Sequence, residues 1–102
     1  MELGRLIKTL RAGLGLSQET LAQKLHISTS YLCLLETGKR EPSNDLLDRI
    51  ADVFTVSREA LIFLTTTVPN ELKGEKAAKY KKLQENIASL LLFQSGRHYA
   101  RS

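Results

Sequence analysis

Residues Leu14–Arg40 read LGLSQETLAQKLHISTSYLCLLETGKR, and the fold turns on this stretch. It predicts two short helices, over 18–25 and 29–36, joined by a tight turn at Lys24-Leu25-His26-Ile27. Ser17 stands where a hydroxyl accepts a hydrogen bond from a free first-turn amide, and Ser28 or Thr29 does the same for the second helix. Leu21, Ala22 and Leu25 share one face of the first helix, Leu32 and Leu35 one face of the second, and Ile27 plugs the turn. The small Ala22 lets the second helix cross closely. Gly38 follows the second helix where a residue of positive φ ends the last turn. The opposite face of that helix carries Thr29, Ser30 and Cys33. A solvated face normally carries Lys and Glu, whereas short uncharged groups suit a helix laid against base edges in a groove.

The stretch from Leu14 to Ser43 closely resembles the helix-turn-helix of the phage Cro/repressor family. The match continues outward, from Leu3-Gly4-Arg5-Leu6-Ile7 to Val56-Ser57-Arg58-Glu59-Ala60-Leu61, and covers about residues 1–66. Arg11, Gly15, Leu16-Ser17-Gln18, Leu21-Ala22, Ile27-Ser28, Tyr31-Leu32, Glu36, Gly38-Lys39-Arg40 and Pro42-Ser43 fall in the family's order, which is far more specific than any lone motif. The resemblance implies an all-α chain, with a five-helix repressor-like DNA-binding domain over 1–66. It further implies that Arg11 pairs with Glu36 to brace the first helix against the recognition helix, and that Gln18 binds a DNA phosphate at the start of the second helix. Two positions depart from the pattern. His26 occupies a turn site usually held by glycine, and Asn44 stands where the family has an apolar residue.

The rest of the chain reads in order. Leu3, Leu6, Ile7 and Leu10 define an amphipathic helix over 2–13, ended by Gly13 and Gly15. Pro42 stops the recognition helix from extending, and Ser43 caps a helix over 44–54 with Leu47, Ile50, Ala51 and Phe54 inward. Ser57 caps a helix over 58–64 with Leu61 and Leu64 in the core. Residues 67–70 form a linker ending after Pro69, an additional C-terminal helix follows over 71–95, and 96–102 is a flexible tail. Tyr80, Leu83, Ile87, Leu90 and Leu91 keep helical spacing and make an apolar stripe with no partner in the five-helix core. Three readings stay open for it: dimerisation, folding back on its own domain, or binding another protein such as an antirepressor or toxin.

Composition narrows the class. The net charge is +4, distributed as +3 over residues 1–40, −3 over 41–64 and +4 over 65–102. Such polarity presents a phosphate-facing side without a large overall charge, although segment sums scatter this much by chance. One cysteine excludes an internal disulfide framework. No apolar run approaches the ~18 residues of a membrane span. The first residues, MELGRLIKTLRAGLG, lack an apolar core and cleavage site, so a cytoplasmic protein is expected, and the resemblance implies a prokaryotic or phage, nucleoid-associated one. No catalytic constellation, phosphate-cradling glycine loop or metal-ligand spacing is found; His26 has no second ligand nearby in sequence. No enzyme activity, cofactor or metal is therefore expected.

The site residues divide by task. Ser28, Thr29, Ser30 and Cys33 are the expected base contacts, and Arg11, Ser17, Gln18, Thr37, Lys39 and Arg40 the expected phosphate contacts. For Thr29 and Ser30 helix capping is the competing role, and for Lys39 and Arg40 a solvated loop. Tyr31 covers the edge of the core. The expected partner is double-stranded DNA, bound as a homodimer on half-sites one helical turn apart. The expected function is a sequence-specific transcription regulator, a repressor on a pseudo-palindromic operator. The competing reading is an antitoxin or similar interaction regulator on the same fold, using DNA binding for autoregulation.

Overall fold

The computed structural model describes residues 2–101 as backbone and the side chains through Leu91. Its elements are α1 (Leu3–Gly13), α2 (Gln18–Leu25), α3 (Thr29–Glu36), α4 (Asn44–Phe54), α5 (Arg58–Thr65) and α6 (Glu75–Arg101), with no strand among the described residues. The all-α expectation holds. Each of α2 to α5 opens on a serine whose Oγ accepts an amide three residues on: Ser17 from Thr20, Ser28 from Tyr31, Ser43 from Leu46 and Ser57 from Ala60. Each such cap contributes about 1 kcal/mol against alanine.

The α2–α3 and α4–α5 connections are built on one plan. LAQKLHIS (21–28) and IADVFTVS (50–57) align residue for residue. Ala22 and Ala51 are buried, as are Leu25 and Phe54 three residues later. His26 (φ 58) and Thr55 (φ 56) then enter the left-handed region. The next amides reach back to the alanine carbonyls, Ile27 to Ala22 and Val56 to Ala51, both at 3.0 Å. These bonds close the helix ends. Ser28 and Ser57 start the following helices. Histidine in place of glycine thus leaves the first turn intact.

The core gathers Leu6, Ile7, Leu10, Leu21, Leu25, Leu32, Leu35, Ile50, Phe54, Leu61 and Leu64 from α1 to α5. On α4 Leu46 is buried and Leu47 only half-buried, reversing the expected emphasis. Asn44 compensates for the missing apolar group with polarity: its Oδ1 accepts from Arg58 Nη2 at 2.7 Å, tying the starts of α4 and α5 together. Gly4 lies where α1 crosses the end of α3. A Cβ there would stand 2.3 Å from the Leu35 carbonyl oxygen and 2.8 Å from that of Glu36.

The C-terminal helix departs most from expectation. It starts at Glu75, not 71, because Leu72 closes a turn on Pro69 and Gly74 takes φ +59, outside right-handed helix. It packs on α1 and α5. Tyr80 meets Phe63 with ring centroids 5.4 Å apart. Buried Gln84 donates to the carbonyls of Phe63 at 2.7 Å and Thr66 at 2.8 Å, and Ala88 joins the core. Ile87 and Leu91 pack against the same cluster. The apolar stripe is therefore split. Tyr80, Ile87 and Leu91 face their own domain, while Leu83 and Leu90 remain 50% and 62% exposed. Its far end differs too: the helix expected to stop at 95 continues to Arg101, so residues 96–101 are helical backbone rather than a flexible tail, and Ser102 lies outside the described residues.

Candidate nucleic-acid interface

Thr29, Ser30 and Cys33 are exposed on α3, and none of their side chains makes a hydrogen bond among the described residues. Their polar atoms are free for an outside partner. Ser28 differs: its Oγ caps α3 by accepting from Tyr31 at 3.0 Å, leaving the hydroxyl hydrogen to donate. Tyr31 is half-buried in a groove it shares with Ile27, Ser28, Ser43, Leu46 and Arg49. The other helix-turn-helix unit offers nothing comparable, since α5 turns Glu59 and Ile62 outward and α4 exposes Asp45, Asp48 and Asp52. Those carboxylates would repel a phosphate backbone.

Behind α3 lies a buried carboxylate. Arg11 donates from Nε to Glu36 Oε2 at 2.8 Å and from Nη2 to Oε1 at 3.1 Å. Its Nη1 holds the Leu16 carbonyl at 2.9 Å. The glutamate side chain is 2% exposed and the arginine 14%. The forked pair ties the end of α1, the α1–α2 connection and the end of α3 into one unit. Arg49 adds a strut that the sequence reading missed. Its Nη1 donates to the Leu25 carbonyl at 2.6 Å, capping α2 just before the turn. No local pattern signals that bond, because 24 residues separate the partners.

The six residues expected at phosphates part into two groups. Arg11 spends its guanidinium on Glu36 and Leu16. Ser17 Oγ accepts from the Thr20 amide and donates to Thr20 Oγ1. Thr37 Oγ1 donates inward to the Cys33 carbonyl at 2.9 Å. Gln18 Nε2 donates to Glu36 Oε1 at 3.0 Å, a bond absent from the sequence reading. Lys39 and Arg40 alone have exposed side chains with no ion pair or hydrogen bond among the described residues. Their backbone amides fold the loop onto the end of α3 through the Leu34 carbonyl, at 2.9 and 3.3 Å. Two cations thus stand on a loop anchored to α3.

No group of three His, Cys, Asp or Glu among the described residues could hold a metal ion, and no helix there is long and apolar enough to cross a membrane.

This arrangement of two capped helices, a left-handed turn and an internal brace defines a class, and the comparisons agree. A family described as "Helix-turn-helix domain" matches residues 2–61, more than half of the chain. The chain belongs to the helix-turn-helix domain family. It is similar to an immunity repressor protein of Bacillus phage phi105, 31% identical over 88 residues, 86% of this chain and 58% of that protein. It is also similar to the HTH-type transcriptional activator BcrR of Enterococcus faecalis, 32% identical over 97 residues, 89% of this chain and 44% of the activator. The HTH-type transcriptional regulator ImmR of Bacillus subtilis is 32% identical over 62 residues, 61% of this chain and 49% of ImmR. The chain spans about half the length of these curated relatives. No solved structure matches it.

Proposed function

We propose that this chain is a sequence-specific DNA-binding transcription regulator that lays α3 in the major groove. One observation carries the reading: Thr29, Ser30 and Cys33 are exposed and unbonded on a helix braced from behind by Arg11 and Glu36. Hydroxyls donate to or accept from several bases, and the threonine methyl meets a thymine methyl. None is a strongly discriminating fork, so DNA shape and bridging water supply part of the specificity. Lys39 and Arg40 neutralise phosphates and set the register, and Gln18 at the start of α2 adds a further phosphate contact.

Repression on a pseudo-palindromic operator is the form we favour, in line with the phage immunity repressor among the relatives. A homodimer follows from the short reach of one recognition helix. The exposed Leu83 and Leu90 on α6 are available to such a contact.

The test is selection of bound duplexes from a random pool, followed by gel shifts on the selected site and on unrelated DNA. Thr29→Ala with Ser30→Ala should erase the preference and leave weak general binding intact. Equal losses on both duplexes would remove α3 from the groove.

A further inference from the structure

Glu36 has more to do than brace α1. Its Oε1 is shared, accepting from Arg11 Nη2 at 3.1 Å and from Gln18 Nε2 at 3.0 Å. Gln18 is the first residue of α2, and Glu36 the last of α3. A carboxylate only accepts, so the glutamine must present its nitrogen to Glu36 and its carbonyl oxygen elsewhere. An amide nitrogen carries two hydrogens, and only one is used here. A phosphate oxygen also only accepts.

We propose that Glu36 is a positioning residue for DNA binding: it holds one amide hydrogen of Gln18 and thereby aims the other at a phosphate of the duplex. The inference rests on the DNA-binding reading above and names how one contact of that site is set. It explains why a half-buried glutamine suits this place. Without Glu36 the amide swings among rotamers and must be ordered when DNA arrives, which weakens binding by roughly threefold to tenfold. The same carboxylate sits at the end of the recognition helix, so the backbone contact at α2 and the pose of α3 share one anchor.

The experiment measures affinity of the full chain for a short duplex of arbitrary sequence, since a phosphate contact needs no operator. Glu36→Gln, Gln18→Ala and the double variant form a cycle. A glutamine at 36 loses the charge and one acceptor oxygen, and its NH2 cannot face an N–H donor, so it no longer satisfies all three N–H groups that Arg11 and Gln18 present to Glu36. Glu36→Gln should weaken binding about threefold to tenfold more when Gln18 is present than in the Gln18→Ala background, the remainder being the cost of disturbing the brace behind α3. An equal penalty in both backgrounds overturns the positioning role and leaves DNA binding standing. So does an unchanged affinity on Gln18→Ala. Failure of the unaltered chain to bind any duplex sinks both.

Because Glu36→Gln strains a buried pair, the unaltered chain gives a second readout. The two side-chain amide protons of Gln18 should differ by NMR, one protected against exchange before DNA is added and the other shifting as duplex is titrated in. A protected proton that becomes labile on adding duplex means that Gln18 leaves Glu36 to bind DNA, and the proposal fails.

Discussion

The Glu36 carboxylate accepts two hydrogen bonds from the Arg11 guanidinium across 25 residues of sequence, at 2.8 and 3.1 Å, in a site almost closed to water. Breaking such a pair from one side leaves a buried charge uncompensated, a far larger loss than any surface ion pair. The exposed Lys79–Glu75 pair on α6 marks the contrast, with both side chains more than three-quarters exposed.

Glu36→Ala should therefore lower the stability of the chain by about 3–5 kcal/mol. Urea unfolding followed by circular dichroism measures it. Lys79→Ala should change stability by less than about 0.5 kcal/mol in the same assay. Comparable losses from the two would mean that the Arg11–Glu36 pair is not holding the helices.

Gly4→Ala sets two effects against each other. Alanine favours helix over glycine by about 1 kcal/mol. The added Cβ, however, would meet the backbone oxygens of Leu35 and Glu36 well inside contact distance, and backbone cannot yield as a flexible side chain can. Overpacking of this kind costs about 1–3 kcal/mol or more, so a net loss and a lower Tm are expected. A raised Tm would show that α1 and α3 have room to separate.

Thr55→Asn should stabilise the chain. Threonine is β-branched, and at φ 56 and ψ 44 it occupies a region that suits glycine and asparagine. Its side chain is exposed and makes no hydrogen bond among the described residues, so little is lost with it. A gain on the order of 1 kcal/mol is expected from a shift in the urea midpoint at constant slope.

Gln84→Ala removes both donors that hold α6 to the carbonyls of Phe63 and Thr66. Exchange of backbone amides along α6 should accelerate, with overall stability lower by about 1–3 kcal/mol. Unchanged exchange would show that Tyr80, Ile87 and Ala88 suffice to dock the helix.

Lys39→Ala with Arg40→Ala should weaken binding to every duplex and flatten the dependence of affinity on salt, by a slope of about 1 to 2 in log–log form. Titration by fluorescence anisotropy over a range of salt concentrations gives that slope. A loss confined to one sequence would move these side chains from the backbone to the bases.

Much of this molecule is local, and local features are legible. The four serine caps and the i, i+3, i+4 apolar spacing each depend on a few neighbouring residues, so α2 and α3 are bounded in the sequence as in the structure, whereas the left-handed Thr55 that ends α4 went unread. The resemblance to phage repressors added the one long-range pair, Arg11 with Glu36. What stayed hidden was set by distance along the chain. Gln18 meets Glu36 because the fold brings the end of α3 against the start of α2, where the carboxylate has a lone pair left over from Arg11. Arg49 found the end of α2 only once α4 had packed beside it. The unpartnered stripe of α6 was visible as apolar spacing, yet which half of it is covered depended on where Phe63 and the free carbonyls of α5 came to lie. Periodicity names the residues that must leave water; packing geometry alone chooses the neighbours they leave it for.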